Sequence, residues 1–120
     1  MEYKKFHYLW VQDFIDCFKD DAGDRELIKD FFERGYCYHF ALILSNLFRG
    51  TLMYNPIENH FASKIYVETS VYANREEMEY RLYDITGGLD LTDDWVEWEQ
   101  FCKDEPLEAE TIKAQCIYKI

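Results

Sequence analysis

The segment Cys37-Tyr38-His39-Phe40-Ala41-Leu42-Ile43-Leu44 constrains the fold of this chain more than any other. Its spacing predicts a helix from Cys37 to Phe48, with Cys37, Phe40, Ala41, Leu44, Leu47 and Phe48 on one face and Leu42 and Ile43 widening it. A helix that is apolar around most of its circumference must be covered on most sides, so it belongs at the centre of a domain. Gly50 is expected to end it.

The flanking segments supply candidate covers. Phe6, Trp10, Phe14 and Cys17/Phe18 recur at helical spacing and predict a surface helix over 6–18. Asp24 is placed to cap a second helix with Leu27, Ile28, Phe31 and Phe32 as its buried stripe, ending near Gly35. After the central helix, Thr51 to Tyr54, His60 to Val71 and Glu79 to Thr86 read as strands, with Ala73 to Glu77 as a turn and Gly87-Gly88 as a stop. Thr92 caps a helix whose Leu91, Trp95, Trp98 and Cys102 share a face, and Pro106 marks its exit. Gln115 to Ile120 reads as an edge or closing strand. Helices first, an antiparallel sheet afterwards and one more helix laid on it make an α+β fold, and 120 residues suit one domain spanning 1–120.

Charge narrows the function classes. With 24 acidic against 13 basic residues the formal net charge is −11, which disfavours direct binding to nucleic acid or to anionic membranes. A neutral peptide, amide or protein substrate, or a basic protein partner, fits better. No apolar run approaches the roughly 18 residues of a spanning helix, and no signal-peptide pattern is present, so the expected address is the cytoplasm. Cys17, Cys37, Cys102 and Cys116 form no C-x-x-C pair, which removes zinc-ribbon and thioredoxin-like readings and leaves free thiols in a reducing compartment. The acidic turn Asp20-Asp21-Ala22-Gly23 lacks calcium-loop spacing, so neither a metal nor a cofactor is expected.

Cys37 opens the central helix and is followed in order by His60 and Asp84 on strand-like segments. A thiol with an ordinary pKa near 8.5 is mostly protonated at neutral pH, and a helix N-terminus favours its anion through free N–H groups and the macrodipole. Gly35 and Tyr36 lack the short oxygen-bearing side chains that would occupy those N–H groups. His60 would accept the thiol proton and Asp84 would fix the imidazole tautomer, if the two strands pair as a hairpin centred on Tyr72. In that register His60 shares a face with Lys64, and Asp84 shares one with Leu82 and Tyr80, so a bulge, or a His60 sited in the loop before the strand, is needed to bring the two together.

The residues Gly35-Tyr36-Cys37-Tyr38-His39-Phe40-Ala41-x-x-Leu44, then His60 at a strand start, then Tyr83-Asp84-Ile85-Thr86-Gly87, resemble papain-like cysteine enzymes of the transglutaminase-like and NlpC/P60-like kind. The resemblance covers the middle half of the chain. It implies a papain-like fold, with a cysteine heading a central helix packed on an antiparallel sheet. It also implies Cys37 as nucleophile, His60 as base and Asp84 as orienting residue in a hydrolase or acyltransferase.

Plainer readings stand beside this one. A cysteine on an apolar helix is usually core, and Cys17, Cys102 and Cys116, without a partner by motif, are expected to be packing residues. His39 lies about 200° around the helix from Cys37 and reads as a surface or satisfied core histidine, and His7 as structural. Asp93, Asp94, Glu97, Glu99, Glu105, Glu108 and Glu110 read as a solvated face. The alternative function is a non-catalytic acidic interaction or inhibitor protein that imitates nucleic-acid charge, of the kind mobile elements encode, and binds a basic partner.

Overall fold

In the computed structural model, residues 6–21, 23, 26–27, 36–72 and 75–117 are described. Among them four α-helices flank a five-stranded antiparallel sheet: α1 (Tyr8–Asp21), α2 (Cys37–Phe48), β1 (Thr51–Asn55), β2 (His60–Tyr72), β3 (Arg75–Asp84), β4 (Gly87–Leu89), β5 (Val96–Glu97), α3 (Trp98–Asp104) and α4 (Pro106–Ile112), followed by a π-helical turn, Lys113–Ile117. The strand order is β4-β3-β2-β1-β5. The chain is α+β, and no helix among the described residues is long and apolar enough to cross a membrane. The second helix expected from Asp24 falls outside the described residues except for Glu26 and Leu27, which are helical.

The central helix has the bounds its apolar run predicts, and Cys37, Phe40, Ala41 and Leu44 form its buried face. Phe40 and Leu44 pack with Ile65 and Val67 of β2, Tyr83 and Ile85 at the end of β3, and Val11 and Ile15 of α1. Full burial of each large aliphatic or aromatic side chain contributes about 1.5–3 kcal/mol, so this layer is the main fastening of helix to sheet. A second apolar cluster joins Cys37 and Ala41 to Tyr54, Phe61, Trp98 and Phe101 and holds α3 against β1.

Several expectations are corrected. Leu47 and Leu42 are exposed, because a single helix face meets the sheet and their angular positions lie beyond it. In α1 the buried residues are Val11, Ile15 and Lys19, whereas Trp10 and Cys17 point to solvent. The i, i+4 row that faces the core is thus one residue round from the row expected. Phe6 precedes the helix, and its carbonyl accepts a 2.9 Å bond from the Glu68 N–H. Arg49, in the left-handed region at φ 54°, caps α2 in place of Gly50. Gly50 has a different use, since a Cβ there would lie 2.2 Å from the Ser63 hydroxyl oxygen.

Beyond the core the strands run longer than the apolar pattern suggests. Tyr72↔Arg75, Val71↔Glu76 and Ser70↔Glu77 continue the β2–β3 ladder into the stretch read as a turn. A two-strand ladder satisfies backbone N–H and C=O groups whatever the side chains are. Gly87, at φ 113°, does not stop the sheet but turns the chain into β4, with Asp84↔Gly87 paired. Leu91 and Trp95 lie outside any helix, because Val96 and Glu97 pair with Tyr54 and Met53 before α3 starts at Trp98. Pro106 opens α4 at its first turn, where its missing N–H costs no hydrogen bond; of the stretch expected as a closing strand, residues 115–117 belong to the π-helical turn and 118–120 fall outside the described residues.

Candidate active site

Tyr36 precedes α2 with φ −118° and ψ 17° and supplies no side-chain capping bond. The His39 N–H bonds back to the Tyr36 carbonyl at 3.1 Å, which leaves the N–H groups of Cys37 and Tyr38 without an acceptor inside the helix. The sulfur of Cys37 takes up this polarity: it accepts hydrogen bonds from the backbone N–H of Tyr38 and of Phe61, the residue after His60.

His60 begins β2 opposite Asn55 of β1. On the other side, Lys64↔Leu82 and Ser63↔Tyr83 fix the β2–β3 register, and one further step places Asp84 beside Ala62, two residues from His60 on the same face. The expected register, with His60 and Asp84 directly opposed about Tyr72, is therefore replaced by a diagonal one. The expected conflict of faces also disappears, because Lys64 pairs with Leu82 and Tyr66 with Tyr80, so all of these residues belong to one face. An irregularity does occur between Glu68 and Ser70, remote from the site.

The diagonal pair is close. His60 Nε2 lies 2.7 Å from Asp84 Oδ2, with the two side chains 16% and 8% exposed. Asp84 is held in turn by Thr86, whose N–H donates to Oδ1 at 2.8 Å and whose hydroxyl donates to the same oxygen. One carboxylate oxygen is thus fixed by the turn, and the other is left to the imidazole. The His60 side chain also hydrogen-bonds the Cys37 thiol, and with Nε2 engaged by Asp84 the nitrogen left for that contact is Nδ1.

The protonation states follow from these contacts. Burial pushes the Cys37 thiol up, but the His60 hydrogen bond, the Phe61 N–H, the His60 charge and the Tyr38 N–H outweigh it and leave the pKa below its ordinary value. Burial pushes His60 down, yet hydrogen bonds to Asp84 and Cys37 and the charges of both raise it to about 10. A lowered thiol beside a raised imidazole favours a thiolate–imidazolium pair at neutral pH.

His60 and Asp84 open onto a cavity of about 560 Å³ on the side away from α2. Trp95 stands edge-on to the His60 ring with centroids 6.0 Å apart, and Glu58, Asp90 and Asp94 also line the space. None of these four residues was marked as functional by the sequence. Asp94 belongs to a run that reads as a solvated face, and the spacing of Trp95 with Leu91, Trp98 and Cys102 predicts a shared helix face. Cys37 is 4% exposed and is not part of this lining.

The other cysteines and histidines lie elsewhere. Cys116 is buried in the cluster that includes Cys37, Cys102 is partly buried, and Cys17 is exposed, contrary to its expected packing role. His7 accepts a 3.2 Å bond from the Leu9 N–H at the start of α1. His39, expected as a surface or satisfied core histidine, is half-buried against the rings of Tyr36 and Tyr38, and its buried Nε2 has no hydrogen-bond partner. Comparison with known proteins finds no matching family model, no matching curated protein and no matching solved structure.

Proposed function

We propose that this chain is a small papain-like thiol hydrolase or acyltransferase that acts on an amide, ester or isopeptide carbonyl. The observation that carries the reading is the continuous contact Cys37–His60–Asp84, with the His60–Asp84 link at 2.7 Å and the thiol and imidazole pKa values displaced in opposite directions.

In this mechanism the Cys37 thiolate attacks the substrate carbonyl carbon, and the C=O electron pair moves onto oxygen. The N–H groups at the start of α2, which have no acceptor inside the helix, are the donors proposed to stabilise that oxyanion. The intermediate collapses to a thioester as the bond to the leaving nitrogen or oxygen breaks, and the His60 imidazolium gives that atom its proton. Neutral His60 then takes a proton from water or an acceptor amine, which attacks the thioester and releases the thiolate. Asp84 keeps the imidazole ring in register throughout and stabilises its charged form. The four free thiols fit a cytosolic protein.

The test is acylation by 4-nitrophenyl acetate followed by intact-mass and peptide mapping. A stoichiometric acetyl adduct on Cys37 that is lost in His60→Ala supports the reading. Absence of the adduct, or its equal appearance on Cys17, overturns it.

A second reading is favoured by the burial of Cys37, which is 4% exposed. Here Cys37, His60 and Asp84 form a structural polar cluster in a non-catalytic acidic protein that binds a basic partner. Under this reading Cys37→Ala leaves biological activity unaltered, whereas the enzymatic reading requires its loss.

A further inference from the structure

We infer that the cavity beside His60 selects a positively charged substrate segment: a lysine or arginine side chain on the leaving-group side of the reacting carbonyl. The assignment of that side rests on the proposed thiol mechanism, because His60 is the group that protonates the departing atom, and His60 and Asp84, but not Cys37, line the cavity.

Three features of the cavity carry the inference. Its volume, about 560 Å³, accommodates an extended side chain with its backbone, and apart from His60, whose charge Asp84 balances, the charged residues of its lining are all acidic. Asp84 is already saturated by His60 and Thr86, but Glu58, Asp90 and Asp94 are exposed and none is paired with a basic side chain among the described residues. Trp95 adds an aromatic wall next to His60, and an indole attracts a cation through its negative face.

The placement of Glu58 is built into the β1–β2 connection. The buried side chain of Asn55 accepts hydrogen bonds from the N–H groups of Ile57 at 3.0 Å and Glu58 at 3.1 Å, and Tyr54 ties down Asn59 through a 2.6 Å hydroxyl bond. This turn therefore holds a carboxylate at the cavity rim on the same strand pair that positions His60. A cation bound there is attracted without competing for the Asp84 oxygen that orients the imidazole. An acidic substrate segment would meet repulsion from three carboxylates at once.

The test is peptide binding to the Cys37→Ala protein, followed by NMR at the Trp95 indole N–H and by titration. The probes are the hexapeptide amides Ala-Ala-Gly-Lys-Ala-Ala and its versions with norleucine or glutamate in place of lysine. The lysine peptide is expected to bind about 10-fold tighter than the norleucine peptide at low salt, the scale of two or three partly exposed ion pairs. The preference should shrink as sodium chloride rises and shift the Trp95 signal.

The triple variant E58Q/D90N/D94N should abolish the preference, whereas E99Q/E108Q/E110Q, which removes the same charge from exposed positions outside the cavity, should keep it. Equal binding of the lysine and norleucine peptides, or a preference that survives the first variant, overturns the inference. If the first variant does not fold, a lysine preference that ignores salt or leaves Trp95 unshifted overturns it equally. Binding needs no turnover. A lysine preference without an acyl adduct on the wild-type protein would therefore sink the catalytic reading alone, and an adduct without charge preference would sink the cation site alone.

Discussion

Asp84 Oδ2 lies 2.7 Å from His60 Nε2 across a diagonal of adjacent strands, which leaves Nδ1 as the ring nitrogen available to Cys37. Such an imidazole is held in one tautomer by the carboxylate, and its other nitrogen is the one that exchanges a proton.

Cys37 should alkylate with iodoacetamide at mildly acidic pH in a His60-dependent way. His60→Ala removes both the hydrogen bond and the charge that hold the thiol below its ordinary value, while the burial that raises it remains. Each unit of upward movement removes about 10-fold of the thiolate at pH 6. Peptide mapping of labelling rates between pH 5 and 9 checks this, and a Cys37 profile unchanged in His60→Ala would disprove the pairing.

Asp84 should matter for stability as well as for any reaction. Asp84→Ala strands the Thr86 N–H, its hydroxyl and the His60 Nε2–H in a region where the aspartate itself is 6% exposed. The loss should be about 2–4 kcal/mol by urea denaturation. Asp84→Asn keeps an oxygen for Thr86 and should recover part of that stability. Its effect on acylation should remain large, about 10²–10⁴-fold, because a neutral amide no longer stabilises the imidazolium. Equal stability of all three proteins would contradict this.

The alkaline limb of stability should carry the signature of His60. Its folded pKa of about 10 lies above the ordinary 6.5, so its contribution is full below 6.5 and is lost as pH rises through about 10. Cys37, lowered from 9.0, contributes in the opposite sense: fully above 9.0, and lost as pH falls through its folded value. The two slopes oppose each other through the range where folded Cys37 is already thiolate and its unfolded counterpart is still thiol. Above pH 9 the thiol is ionised in both states, and only the His60 slope remains. The stability difference between wild type and His60→Gln should therefore fall between pH 9 and 10, as urea midpoints measured at both values will reveal.

The sequence exposed the parts of this fold that local pattern dictates. The apolar run from Cys37 gave α2 its bounds, and the order Cys37, His60, Asp84 named residues that the structure brings together. What it did not expose depends on three-dimensional pairing. The β2–β3 register is set by pairs such as Lys64↔Leu82, and one face of that pairing mixes a lysine with a fully buried leucine, which blurs the alternation. The conformation of Trp95 was hidden for a related reason. Helical spacing with Trp98 suggested one helix, whereas two residues of β5 bonded to β1 interrupt it and turn Trp95 toward His60. Glu58, Asp90 and Asp94 come from separate turns and carry no common spacing, so a cavity assembled from them leaves no motif.

Gly50 offers a test of how closely α2 must approach the sheet. It follows the Arg49 cap, and its N–H bonds the Ser45 carbonyl at 3.0 Å while Ser45 and Ser63 hydroxyls meet at 2.8 Å. A methyl group at Gly50 would press on Ser63, which is fully buried, and on Ile65 and the Lys64 carbonyl at 3.0 and 3.1 Å. Ser63 and Ile65 are fully buried and the Lys64 carbonyl is backbone, so Gly50→Ala should destabilise by about 1–3 kcal/mol, the usual scale of overpacking. Ser63→Gly would remove the nearest clashing atom. The double variant Gly50→Ala/Ser63→Gly should then be more stable than the sum of the single effects predicts, because the second change relieves the strain introduced by the first. Urea denaturation of the four proteins closes the cycle, and strict additivity would mean that the helix end does not bear on Ser63.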